Sequence, residues 1–183
     1  MVKIILFISA FVPMYILFLI NLIMELINNN LTFNVTNTCV LVGLIILTII
    51  GTIGLFVIVK KKGKSYRKVT IVSKKNLTDQ HFLNYFSLFV LLALTFDLSK
   101  ICFVCVFVVI LIFIGIVYIK NNIYYVNPLL NIMGYSFYDI TYEKDGRTEE
   151  LRIFYKGELE VNSKSYNIYI ADRNLNFLDD AME

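Results

Sequence analysis

The sequence predicts an α-helical integral membrane protein with four transmembrane helices, followed by a small β-rich cytoplasmic domain. The 21 residues from Cys39 to Val59 carry no charge and run directly into a basic cluster at Lys60, Lys61, Lys62 and Lys64. At about 1.5 Å rise per residue this run matches the roughly 30 Å hydrocarbon slab of a bilayer. It is too long to hide in the core of a 183-residue soluble chain. Composition agrees, with 58% hydrophobic and 17% charged residues. The charge is also divided along the chain. Residues 1–120 hold 11 of the 17 Lys and Arg but three acids, Glu25, Asp79 and Asp97, whereas residues 121–183 hold 6 basic and 11 acidic side chains. The first part is therefore near +8 and the second near −5, so the overall +3 is no argument for nucleic-acid binding.

The first span, about residues 3–24, starts on Lys3 and is closed by Glu25. Its apolar centre is longer than that of a signal peptide, and no small-residue cleavage site precedes Asn28, Asn29 and Asn30. It is expected to stay as an anchor. Pro13 inside it removes the donor that would pair with the Ser9 carbonyl, which predicts a kink. The second span, 39–59, opens into a basic loop over 60–80, with eight Lys and Arg and no acid between Lys60 and Lys75. Cytoplasmic flanks collect such residues. Lys60, Lys61, Lys62, Lys64, Arg67 and Lys68 are therefore expected to set the topology and to offer a grip on anionic lipid headgroups. A third, shorter span at about 81–96 follows the capping oxygens of Asn76, Thr78 and Asp79. Asp97, Ser99 and Lys100 turn the chain into the fourth span, 101–119. Four crossings place both termini on one side, and the basic loop makes that side cytoplasmic. The membrane domain is thus expected over 1–122 and the acidic, β-rich domain over 123–183.

Beyond Asn122 the apolar period changes from helical to alternating. Tyr135–Tyr142, Leu151–Tyr155 and Tyr166–Ile170 read as strands. Asp145–Gly146 is a pair favoured in tight hairpins, and Gly157 interrupts the second strand. A module of this size buries little apolar surface alone, so it is expected to lean on a neighbour, the membrane or a copy of itself.

Catalytic chemistry finds no foothold, and neither an enzyme activity nor a cofactor is expected. His81 has no carboxylate or cysteine at ligand spacing. Cys102 and Cys105 stand in CxxC spacing but inside the fourth span, where a thiol acts as a small apolar packing group. Gly51 and Gly54, with Thr48 and Thr52, lie on a spanning helix, where small residues admit close helix packing. Polar groups such as Asn21, Asn84 and Asp97 fall near the ends of spans, so a pore would need an apolar lining between subunits.

The segments FVPMYILFLI in the first span, HFLNYFSLFV at the third and NPLLNIMGYSFYDI after the fourth resemble the KwaA family. Its members are membrane subunits of the bacterial Kiwa anti-phage defence system. The sharpest part of the resemblance is Asn127 and Pro128 followed by Gly134, Tyr135 and Tyr138. The resemblance implies a non-enzymatic sensor and scaffold, multi-pass in the inner membrane. It would detect phage infection and recruit a cytoplasmic DNA-binding effector, KwaB, that hinders phage DNA replication. An acidic tail suits a basic partner face and disfavours direct nucleic-acid contact. Assembly as a homo-oligomer, a tetramer foremost, is expected. The competing expectation is a membrane-permeabilising, pore-forming oligomer. From the residues alone, Pro128 and Asn127 form a joint between the last span and the tail. Gly134 can aim the first strand, and Tyr118, Tyr124 and Tyr125 suit an interfacial aromatic belt. The joint serves coupling or partner contact.

Overall fold

The computed structural model describes residues 2–28, 34–60, 66–78, 87, 90–92, 95–121, 123, 127–144, 147–161, 165–172 and 175–180. The chain divides into two compact units, Met1–Phe56 with Asn84–Leu129, and Val57–Leu83 with Leu130–Glu183.

The first unit is helical. Helices α1 (Val2–Ala10) and α2 (Val12–Ile27) meet at Phe11 with a bend of 47°. Pro13, in the first turn of α2, cannot donate to Ser9, and the chain breaks there as its ring requires. The Phe11 amide instead donates to the Ile8 carbonyl at 3.2 Å. Helix α3 (Val35–Lys60) is 26 residues long, four residues longer at its start than the predicted second span and one at its end. Helix α4 (Ile101–Lys120) reproduces the predicted fourth span to one residue. Among the described residues, α3 and α4 are long and apolar enough to cross a membrane, and the bent α1–α2 pair makes a third crossing if it is one span. Four transmembrane helices are not carried by the structure: the first predicted span is broken at Phe11, and most of the third, 81–96, lies outside the described residues.

Glycines set how closely α1 approaches its neighbours. A Cβ on Gly51 would stand 2.6 Å from Val12 Cγ2 and 3.2 Å from the Ile8 carbonyl oxygen. One on Gly54 would stand 2.5 Å from Ile5 Cγ2, and one on Gly115 of α4 would stand 3.1 Å from the Phe7 ring. Hydrogen at these positions lets the helices come into contact. Leu6, Ser9, Met14, Tyr15 and Phe18 are buried in this unit.

The second unit is a closed five-stranded barrel in the order β1-β2-β3-β5-β4. Its strands are β1 (Tyr66–Asn76), β2 (Tyr135–Lys144), β3 (Arg147–Lys156), β4 (Ser165–Asp172) and β5 (Leu175–Asp180). The start of β1 pairs antiparallel with β4, its remainder with β2, and β3 runs parallel to β5 at Phe154↔Phe177. This is the Greek-key arrangement of the OB type of barrel. A register shift between Ile71 and Ser73 lets one strand serve two partners, because an extra residue bends and twists the strand that carries it. Strands β2 and β3 form the expected hairpin, in register from Tyr135↔Lys156 to Lys144↔Arg147; the expected turn residues 145 and 146 lie outside the described residues.

Strand β1 corrects the basic loop expected over 60–80 and the domain division at residue 122. Val69 and Ile71 alternate among the cations and point into the barrel, 4% and 0% exposed. The charge count had obscured a strand with period two. The β-rich unit thereby gains a segment from before the last span, and its interior closes without a flat edge. Inside lie Val69, Ile71, Ile140, Ile153, Leu159, Ile168 and Leu178 with four tyrosines. Three of the hydroxyls are satisfied locally: Tyr166 donates to the Glu160 carbonyl and accepts from its amide, both at 3.1 Å, Tyr142 donates to the Glu149 carboxylate, and Tyr138 reaches the Gly157 carbonyl at 3.4 Å. A second aromatic row, Phe137, Phe154, Phe177 and Tyr135, runs on the outer side with ring centroids 4.9 to 5.7 Å apart.

Candidate functional site

Asn-Pro after a span is a helix-start signature, and the structure uses it as one. Pro128 opens α5 (Pro128–Ile132), where its missing donor costs nothing, and the Asn127 side-chain oxygen accepts from the Leu129 amide at 3.0 Å. The other end of the same amide works elsewhere. Its nitrogen donates to Ser9 Oγ at 2.7 Å and to the Leu6 carbonyl at 3.3 Å, while Ser9 Oγ donates to the Leu6 carbonyl at 2.9 Å. Asn127 is 4% exposed and Ser9 fully buried. One side chain therefore caps the short helix leaving the membrane unit and grips α1 two residues ahead of its break. Neighbouring rings reinforce the grip, with Phe7 5.0 Å from Phe11 and 5.5 Å from Tyr118.

The other predicted joint residues take different parts. Gly134 has φ +84°, a conformation that L side chains rarely adopt, and it stands directly before β2. Tyr135 is half-buried in the outer aromatic row, and burial holds its hydroxyl pKa above the usual tyrosine value. Tyr138 points into the barrel interior and is out of reach of any partner that leaves the barrel closed. The structure thus brings Asn127 and Pro128 together and separates them in role from the two tyrosines.

Of the basic residues assigned to lipid and topology, Lys60 ends α3 and is exposed, while Lys61, Lys62 and Lys64 lie outside the described residues. Arg67 and Lys68 are strand residues, paired with Ile168 and Asn167 of β4. Sequence reasoning missed Lys74 and Lys75. They line a polar groove of about 210 Å³ with Ser73, Asp139, Thr141 and Glu150, and Lys74 Nζ donates to the Leu159 carbonyl. Arg152 approaches Asp139 at 3.9 Å beside it. The alternation of β1 was the signal that could have placed them. Ser9 was named only as the acceptor lost to Pro13, and its pairing across 118 residues with Asn127 left no trace in local pattern.

At the start of α4, Asp97 accepts from the Ser99 amide at 3.1 Å and from the Ser99 hydroxyl, and pairs with Lys100 at 3.1 Å. The Ser99 hydroxyl, with help from Lys100, holds the Asp97 carboxyl below the usual carboxylate range against the opposing effect of burial. Cys39, Cys102 and Cys105 are free and exposed on the helices, and among the described residues no group of three or more His, Cys, Asp or Glu could hold a metal. His81 lies outside the described residues.

Neither a curated protein nor a solved structure matches the chain. A family model does, that of the anti-phage protein KwaA, over residues 2–176. With nearly its whole length matched, the chain belongs to the KwaA family of anti-phage proteins.

Proposed function

We propose that this chain is a non-enzymatic sensor and scaffold of anti-phage defence, seated in the bacterial inner membrane, that answers phage infection by recruiting a cytoplasmic DNA-binding effector of the KwaB kind. The observation that carries the reading is the barrel's division in sequence. Strand β1 ends at Asn76 and β2 begins at Tyr135, with the 20-residue apolar helix α4 between them. Paired strands share one face of a membrane, so a crossing by α4 calls for a second crossing between Asn76 and Ile101. That parity supports a third span at 81–96, four crossings in all and both termini on the basic, cytoplasmic side.

In this reading the barrel is the docking module and Asn127 the coupling residue. A change in the packing of α1 against α3 and α4 reaches α5 through one amide that serves both. In this reading the effector supplies the nucleic-acid contact. The scaffold is a homo-oligomer, with a tetramer the first state to test for.

Phage-challenge plating with the companion effector present tests the coupling. Asn127→Leu should lose protection while membrane insertion and effector co-purification persist; full protection by that variant would remove Asn127 from the path. Accessibility labelling should find Lys62 and Asp179 on the same membrane face, and opposite faces would refute the topology. Ion flux through liposomes holding this chain alone would favour the pore-forming alternative.

A further inference from the structure

A groove of about 680 Å³ runs along α4 in the helical unit. Its walls include Phe7 of α1, Leu47 of α3 and Val108, Ile112 and Ile116 of α4, and Gly115 forms part of its floor. Among the described residues, every lining side chain is apolar except one, Lys120. That lysine is exposed, ends the helix and has the exposed Asn121 beside it. Three features define what fits. The size is that of a small-molecule or lipid-tail site. The walls belong to helices apolar enough to span a bilayer, so the surrounding medium is hydrocarbon rather than water. From Val108 to Lys120 the groove extends about 18 Å at ~1.5 Å per residue, close to the ~15 Å depth of one leaflet.

We infer that this groove holds one acyl chain of an anionic phospholipid, with the lipid phosphate on Lys120. A chain lying along α4 starts at the headgroup level, where the cation stands, and ends near mid-bilayer, at the level of Val108. The ammonium meets the phosphate as a point charge, and the Asn121 amide offers a second donor to phosphate or glycerol oxygens. Gly115 keeps the floor clear, because a side chain there would press on the Phe7 ring. A second copy of the chain would present an apolar helix instead and would gain nothing from a lysine at the groove mouth.

Native mass spectrometry of the full chain in mild detergent, incubated with equal phosphatidylglycerol and phosphatidylcholine of the same acyl chains, tests the assignment. The unaltered chain should retain one phosphatidylglycerol per copy with about fivefold preference, the factor a single cation supplies at an anionic surface. Lys120→Gln should bring that preference close to one, whereas Lys100→Gln, at the other end of α4, should leave it intact. Ile116→Trp, at a lipid-exposed position lining the groove, should lose retention of both lipids. Equal retention of the two lipids by the unaltered chain overturns the proposal, as does a preference indifferent to Lys120. So does a Trp variant that changes the number of copies per assembly and keeps its lipid, since the groove would then be a contact between copies. Should the Trp variant fail to accumulate, the competition on the unaltered chain and on Lys120→Gln decides alone.

Discussion

The helical unit and the barrel are inside-out relative to each other. On α4, Phe113 is 66% and Ile112 57% exposed, while the polar Ser9 and Asn127 are sealed in the helical interior. In the barrel, Ile71, Ile153 and Leu159 are fully buried and Lys74, Glu150 and Arg152 are exposed. Each arrangement fits its own solvent: in hydrocarbon an apolar surface costs nothing and a polar group must find its partner inside, whereas in water burial of apolar surface drives folding. Polar contacts therefore carry specificity in one unit, and apolar contacts carry stability in the other.

The largest expected break is in the barrel. Ile153→Asp places a carboxylate in the apolar interior of the barrel, where Ile153 is fully buried, and should cost about 4 kcal/mol or more. Limited proteolysis of the full chain in detergent should then cut between residues 130 and 183 while the helices stay protected. The counterpart in the helical unit is Asn127→Leu, expected to cost about 1–3 kcal/mol because buried carbonyl and hydroxyl groups lose a donor. Ser9→Ala should cost less, and the two together less than their sum, as contacting residues are not additive. Unfolding midpoints of the detergent-solubilised chain report both.

Within α3 the same comparison sharpens to two glycines. Gly51→Ala meets Val12 and the Ile8 carbonyl and should destabilise by about 1–3 kcal/mol. Gly43→Ala meets nothing within 4 Å and should fall within about 0.5 kcal/mol of the parent. The smallest effect belongs to the solvated turn before α4. Because the folded Asp97 carboxyl titrates below its ordinary value, its contribution is present above about 3.9, the unfolded pKa, and is lost as pH falls through the lowered folded value. With the pair largely exposed, Asp97→Asn should cost no more than about 1 kcal/mol. The variant should flatten the acid limb of the midpoint-against-pH curve.

Local pattern revealed the features that depend on near neighbours. Unbroken apolar length placed α3 and α4, Pro13 placed the break, and alternation between turn residues placed the β2–β3 hairpin. Gly134 marked its own strained turn. What local pattern hid depends on partners distant in sequence. Strand β1 disguised two inward aliphatic residues among cations. Strand β5, Leu175–Asp180, is short and ends in acids, and it is a strand through its antiparallel pairing with β4 and its parallel pairing with β3. The Asn127 amide could be read as a cap from Pro128 beside it, but its grip on α1 exists only once the helices are assembled.

The split barrel also fixes an order of events at the ribosome. Strand β1 is complete 58 residues before the first residue of β2 is made, and at 5–20 residues per second that is a delay of roughly 3–12 s. During that interval β1 exists without β2 and β4, the two strands it pairs with. The cell must tolerate or chaperone that orphan, and a message cut short before the final strands leaves a product whose barrel never closes.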